Sequence, residues 1–323
     1  MKLLHPFIQL PLAFDAKRLA EEIAIVPDSA WMLHPQKFPG NTMLPLIAVD
    51  GDPANEAFRG AMRPTPHLER TPYLRQVIAA TGVVAGRTRL MRLAGKAEVS
   101  RHADLGYYWA ERVRVHVPII TQPTVRFECG EAAVNMAEGE CWIFDTWRPH
   151  RVINANDNQR IHLVIDTVGG PKFWKLVEAG RVPGDAKPWS PRFVEYDPAL
   201  RPELVLEATN MPEIMTPWEL DAHLNFLMGE AGKHPLLGEV RAVCARFRRE
   251  WRALWSQYGA DDAGRSAYQA ALDDFLAQVQ GPASQIRFAN DVWLFGAITM
   301  RIGKAAIAQP ETALRYATPA EMA

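Results

Sequence analysis

The sequence is short of cysteine, of net charge and of long apolar runs, and each shortage closes off a class of protein. Three cysteines (Cys129, Cys141 and Cys244) are too few and too irregularly spaced for a disulfide framework or a thiolate metal site. They read as reduced, packed thiols of a cytoplasmic protein. The formal net charge is −1, which argues against a nucleic-acid partner or an anionic membrane surface. No apolar stretch reaches the roughly eighteen residues of a membrane-spanning helix. The start, Met1-Lys2-Leu3-Leu4-His5-Pro6, lacks the sustained apolar core of a signal peptide. No internal repeat is visible. What is there is ordinary: 323 residues, 48% hydrophobic and 23% charged, enough for one large domain or two modest ones.

Residues 15–27 read as a short helix capped by Asp15, with Leu19, Ile23 and Val26 as its buried stripe. Residues 28–70, rich in Pro, Gly and Asn, read as loops with short extended pieces. A second helix is expected over 72–80, ending near Gly82. From about 87 to 168 the pattern turns to short β-like runs at 88–94, 98–102, 112–121, 124–128, 132–136, 140–145, 150–154 and 160–167. Such spacing suggests a small antiparallel barrel or jelly roll. Seven prolines between 181 and 217 (Pro183, Pro188, Pro191, Pro198, Pro202, Pro212, Pro217) suggest a surface connector. Thr216-Pro217-Trp218-Glu219 then has the pattern of a helix start. Val243, Phe247, Trp251, Leu254 and Tyr258 recur at helical spacing, and 264–279 and 284–305 read as two more helices. Trp218, Trp251, Trp255 and Trp293 are expected to build that region's core.

Two strands alternate clearly. In 112–119, Val113, Val115 and Val117 face one way and Arg112, Arg114 and His116 the other. In 160–166, Ile161, Leu163 and Ile165 oppose Arg160 and His162. The polar faces either meet water or line a barrel cavity while the aliphatic faces pack under helices; the pattern alone does not choose.

The chemistry-bearing pattern is His102-Ala103-Asp104, then His150 about fifty residues on, then Arg160 ten beyond that. In an extended segment, positions 102 and 104 project from one face about 7 Å apart. A histidine from another strand would complete a two-histidine, one-carboxylate site with open coordination positions, as oxygen-activating iron(II) requires. Zinc accepts the same donors. The strand cations Arg160, Arg114 and His116 favour iron(II) with 2-oxoglutarate, because a guanidinium matches a carboxylate bidentately. Tyr107, Trp109, Trp147, Arg148 and Arg151 flank these motifs and are candidates for substrate contact. Asn154 is expected to fix a turn.

These motifs resemble the aspartyl/asparaginyl β-hydroxylase family of iron(II)/2-oxoglutarate dioxygenases, which includes bacterial amino-acid hydroxylases. The carrying residues are Arg89-Leu-Met-Arg-Leu-Ala-Gly leading to His102-Ala-Asp104, Arg112-Val-Arg-Val-His-Val-Pro-Ile, Gly139-Glu-Cys-Trp-Ile-Phe-Asp145, His150-Arg-Val-Ile-Asn154 and Arg160-Ile-His-Leu-Val-Ile-Asp166. The likeness covers about 85–168; residues 180–323 resemble nothing we can name. It implies an α+β protein with a double-stranded β-helix (jelly-roll or cupin-like) core, flanking N-terminal helices and a C-terminal helical region. The expected divisions are 1–170, a connector over 171–216, and helices over 217–323. His102, Asp104 and His150 would bind iron and carry catalysis. Arg160, Arg114 and His116 would hold 2-oxoglutarate, with O2 as the oxidant. The animal enzymes that name the family lack the acidic ligand, whereas Asp104 is present here.

The implied reaction hydroxylates an unactivated C–H of an amino acid, peptide or related small metabolite, releasing succinate and CO2. The alternatives are a non-catalytic β-barrel binding module and a zinc-dependent hydrolase. The expected partners are a small-molecule or peptide substrate, with the C-terminal helices offering a surface for a homo-oligomer.

Overall fold

The structure, a computed structural model, describes residues 1–35, 38–186 and 188–308. Its strands are β1 (Phe7–Phe14), β2 (Met32–Leu33), β3 (Asn41–Val49), β4 (Met62–Pro64), β5 (Ala85–Leu93), β6 (Glu98–His102), β7 (Val113–Ile120), β8 (Val125–Cys129), β9 (Ala132–Val134), β10 (Glu140–Phe144), β11 (His150–Asn154), β12 (Arg160–Thr167) and β13 (Arg192–Val194). Its helices are α1 (Ala16–Ile23), α2 (Pro66–Glu69), α3 (Pro72–Thr81), α4 (Tyr107–Ala110), α5 (Pro171–Glu178), α6 (Pro217–Glu230), α7 (Leu237–Tyr258), α8 (Arg265–Ala283) and α9 (Leu294–Ile298). Two compact units result: Met1–Ala103 with Glu111–Asn210, and Asp104–Ala110 with Met211–Ala323.

In the first unit the larger sheet runs β13-β1-β10-β7-β12-β5-β3-β2, and the smaller runs β6-β11-β8-β9. Strands β5 to β12 therefore pass back and forth between two four-stranded antiparallel sets, β10-β7-β12-β5 and β6-β11-β8-β9. That winding is a double-stranded β-helix, and with its helices the protein is α+β.

The central strand β12 decides which face does what. All eight of its residues are buried. Ile161, Leu163 and Ile165 join Val113, Val115, Val117, Leu10 and Leu12 in a core that includes Leu19 and Ile23 of α1, Tyr73, Leu74, Val77 and Ile78 of α3, and Phe173 of α5. Helices cover that side, so it must be apolar. The polar face therefore turns inward, beside a second apolar cluster of Phe7, Leu93, Phe127, Trp142, Phe144 and Val152. This is the second of the two arrangements left open by the alternation.

Helix α1 is capped as expected: the Arg18 amide donates to Asp15 at 3.0 Å. Its buried Glu22 accepts from the Tyr73 and Leu74 amides at 2.8 and 2.9 Å, two of the N–H groups that α3 cannot satisfy internally. Helix α3 stops at Gly82, whose φ of 67° needs no strained side chain there. β3 is a nine-residue strand where loops with short extended pieces were expected over 28–70, and β1 lies in a stretch to which no element was assigned. Pro11 and Pro45 each lie where the ladder shifts register, the position at which a strand tolerates a missing donor.

In the second unit, Thr216 accepts from the Glu219 amide at 3.3 Å and starts α6. The core is built by Leu220, Leu224, Val240, Phe247, Trp251, Tyr268, Leu272 and Phe275. Phe247 stacks on Phe275 at 4.1 Å, and the Trp251 indole donates to Met215 O at 2.8 Å. Of the four tryptophans expected in this core only Trp251 is buried; Trp218 is 70% exposed and Trp293 38%. The helix expected over 284–305 is interrupted. The Val292 amide donates to the Asn290 side chain at 3.3 Å and Asp291 takes a φ of 66°, so an Asx turn replaces the first half. Helix α9 and a π-helical turn at Thr299–Gly303 follow.

The three cysteines are buried and free. Among the described residues no helix is long and apolar enough to cross a membrane.

Candidate active site

The smaller sheet sets the two imidazoles. In the antiparallel β6–β11 ladder His102 and His150 are direct partners, and one residue further along the register slips. The slip puts an extra residue into β6 just before His102, which re-aims the end of that strand. The two rings lie 4.3 Å apart. Asp104 follows two residues after His102, where the chain has left the strand. One ligand atom from each of His102, Asp104 and His150 lies within 4.8 Å of the others. Asp104 and His150 are buried and His102 is half-buried.

Both histidines are held alike. Nδ1 of His102 lies 2.8 Å from the carbonyl of Ser100, and Nδ1 of His150 lies 2.9 Å from that of Arg148. A carbonyl only accepts, so each ring carries a proton on Nδ1, and in the neutral ring Nε2 then holds the lone pair. That is the state a metal-ligating histidine needs, and the supporting carbonyl is a usual companion of such ligands. The donor set of two imidazole nitrogens and one carboxylate suits a divalent transition metal with open positions. Phe144 packs edge-on to His150 at 4.8 Å and Phe38 lies 6.1 Å from His102, so the surroundings are largely apolar.

The larger sheet supplies cations on its inner face. Arg160 is 4% exposed, and among the described residues it pairs with no carboxylate; burial alone pulls its guanidinium down to about 9. One of its terminal nitrogens lies 2.6 Å from His162 Nδ1, and His116 Nδ1 lies 3.4 Å from the same atom. Burial, and then the charge of Arg160, holds both His116 and His162 well below the usual imidazole range, so both are neutral. Phe127 and Phe144 flank His116, each at 5.4 Å.

Arg114 stands further along the same face, opposite Asp166 in the ladder. Its Nε is 3.6 Å from Asp166, which also receives Arg89 at 3.1 Å. Arg114 and His116 thus share a face as the alternation requires, while Arg114 has its own carboxylate. Nearby, burial and then the charges of Arg89 and Arg114 pull His34 down to about 2.

The candidates for substrate contact are dispersed. Trp147 is buried, and its amide donates to Asp145 at 2.9 Å. Arg148 pairs with Asp145 at 3.0 Å. Arg151 alternates to the face of β11 opposite His150 and grips Glu128 at 2.6 and 3.2 Å. Tyr107 donates its hydroxyl to Glu219 and packs edge-on to His223 at 5.3 Å. Trp109 is buried against Tyr108. Asn154 fixes a turn as expected, donating to Ala94 O at 3.0 Å and Asn158 O at 2.8 Å.

Sequence reasoning assigned nothing to His34, took Arg89 and Asp166 only as parts of the motifs, and read His162 as a support behind the site or a core residue. Asp166 lies on Arg160's face of an alternating strand, so that signal was readable. His34 sits in a Pro-rich stretch with no period to flag it.

Residues 56–169 match the family model described as Aspartyl/Asparaginyl beta-hydroxylase, in line with the resemblance carried by the motifs. No curated protein matches the chain. Among solved structures, an oxidoreductase of the 2OG-Fe(II) oxygenase family from Burkholderia pseudomallei is similar at 14% identity and a TM-score of 0.35, over 49% of this chain and 80% of that one. A Pseudomonas putida prolyl-4-hydroxylase is similar at 16% identity and a TM-score of 0.35, over 51% and 92%. A cupin domain from Bordetella pertussis Tohama I is similar at 22% identity and a TM-score of 0.21, over 25% and 79%. The fold assignment rests on the strand order itself.

Proposed function

We propose that this protein is an iron(II)- and 2-oxoglutarate-dependent oxygenase that hydroxylates an unactivated C–H of an amino acid, peptide or related small metabolite. One observation carries the reading. Two imidazoles locked as Nε2 donors meet a carboxylate, while the inner face of the same β-helix holds a buried guanidinium that pairs with no carboxylate among the described residues. A buried arginine of that kind is costly unless an anion joins it. A hydrolase needs no such anion site.

His102, Asp104 and His150 would hold the metal. When bound, iron and 2-oxoglutarate supply oxygen activation with release of succinate and CO2. The chain's own work is positioning and exclusion of water. The Ser100 and Arg148 carbonyls fix the two rings. Arg160 would take the co-substrate's distal carboxylate, with His116 beside it. Arg114, whose Nε lies 3.6 Å from Asp166, would stand further along the same inner face. Phe127 and Phe144 keep the inner face dry. Trp147 and Arg148 remain candidates for substrate contact; Arg151, on the far face of β11, does not share the site.

The test is an anaerobic titration of metal-free protein with iron(II) and then 2-oxoglutarate. A visible charge-transfer band that needs both is expected, followed in air by succinate release with a matching substrate and a product heavier by one oxygen. Binding of zinc with hydrolysis that ignores 2-oxoglutarate would overturn the proposal.

A further inference from the structure

We propose that His162 is a second donor to the anionic co-substrate, giving its Nε2 proton to the same distal carboxylate that Arg160 holds. The proposal rests on the oxygenase reading and goes beyond it, because His162 is there only a neighbour of the anchor.

The argument is one of proton placement. A guanidinium nitrogen only donates. The 2.6 Å contact from Arg160 therefore ends on a lone pair at His162 Nδ1. Burial, and then the positive charge of Arg160 and the neighbouring His116, keeps the ring neutral, so its single proton must sit on Nε2. His162 is 1% exposed, and its Nε2 has no partner among the described residues. The Nε of Arg160, 4% exposed, has none either. Two N–H donors, on residues two apart on one strand face and joined by a hydrogen bond, are thus buried without acceptors. A buried donor left without an acceptor is costly, and a native core rarely keeps two side by side.

The adjacent groups offer no relief. His116 faces the shared Nδ1 and not Nε2. The ladder partners of His162 are Met91 and Pro118, which bring no acid. Asp166, the nearest carboxylate along β12, stands four residues from His162, accepts from Arg89 at 3.1 Å and turns its other oxygen to Arg114 at 3.6 Å. A carboxylate entering beside Arg160 would offer up to four acceptor sites and satisfy both donors.

Two substitutions separate a ligand donor from a mere prop for Arg160. His162→Asn keeps a polar atom where Nδ1 stands but nothing at Nε2. His162→Gln reaches the Nε2 position with an amide N–H. Binding of 2-oxoglutarate to the Mn(II)-loaded protein is measured anaerobically by calorimetry. His162→Asn should weaken it about 10- to 100-fold, the loss of one hydrogen bond to a charged group. His162→Gln should recover most of that. The Mn(II) affinity of both variants, and their binding of 2-oxopentanoate, which lacks the distal carboxylate, should match wild type. In wild-type protein with 15N-labelled histidine, the His162 Nε2 proton should move downfield when 2-oxoglutarate is added, a reading that needs no variant.

Rescue by Asn and not by Gln, or an Nε2 proton that ignores 2-oxoglutarate, would overturn the proposal. Wild-type protein that binds Mn(II) and no 2-oxoglutarate would instead overturn the oxygenase reading itself.

Discussion

His102 and His150 face each other as direct partners across the β6–β11 ladder, their rings 4.3 Å apart. Side chains opposite one another in an antiparallel pair point to the same side of the sheet. Two strands thus hold both imidazoles on one side of the sheet, and the chain leaving β6 adds Asp104 two residues later.

Loss of either member should therefore remove the metal without unfolding the sheet. His150→Ala and Asp104→Ala are each expected to weaken Fe(II) or Mn(II) binding by more than about 100-fold, since even partners behind the ligands are worth about 10- to 100-fold. Calorimetry with Mn(II), together with an unchanged circular dichroism spectrum, checks this. Wild-type metal affinity in His150→Ala would remove His150 from the site.

Arg160→Ala should separate the two binding events. Mn(II) should bind as in wild type, and 2-oxoglutarate should bind at least about 100-fold more weakly. Arg160→Lys should restore little, because a point charge on a flexible stem replaces a planar fork in a buried slot. Equal co-substrate affinity in Arg160→Ala would contradict the assignment.

The buried pair of Arg112 and Glu207 makes a stability prediction. Its bidentate contacts measure 2.8 and 3.1 Å. Removing one partner of such a pair costs about 3–5 kcal/mol, which Arg112→Met should show in urea unfolding at neutral pH. Burial raises the Glu207 pKa above 4.5, with Arg112 acting in the opposite direction. A carboxyl whose folded pKa is raised favours folding below its unfolded pKa and loses that benefit as pH climbs through the folded value. Without Arg112 the folded value rises further. The deficit of Arg112→Met should accordingly widen as pH rises above about 4.5 and narrow below it. A deficit flat from pH 4 to 7 would mean that Glu207 does not titrate there.

Glu22 ties α1 to the first turn of α3. Glu22→Ala should cost about 1–2 kcal/mol, as for loss of a helix cap. The Tyr73 and Leu74 amides should exchange hydrogen faster, and an exchange rate matching wild type would show that other acceptors serve these amides.

The β-helix was legible wherever side chains alternate without interruption. The extents of β6, β11 and β12 match the runs read at 98–102, 150–154 and 160–167, because β-branched and polar residues alternate there and turn residues bound them. Strand β3 was obscured by the Pro, Gly and Asn of its region, with Pro45 absorbed by the tertiary ladder at a shift of register, and β1, whose Pro11 lies at another shift, was assigned no element. The grouping of the cations was hidden as well. Arg114 and His116 are two residues apart on one face, yet one meets Asp166 and the other His162. Which partner each finds depends on β7–β12 register, and only pairing across the fold sets that. Trp218 misled for a related reason: a large ring near a helix start reads as core, but here it lies on the helix's outer side.

The two-sidedness of β12 has one more consequence. A slip of a single residue against β5 or β7 would exchange its sides. Arg160, His162 and Asp166 would be driven into the aliphatic layer under α1 and α3, and Ile161, Leu163 and Ile165 would crowd the place meant for cations. Misaligned pairings are thus rejected by the charges themselves. The polar residues of β12 thereby help to fix the register of the central strand.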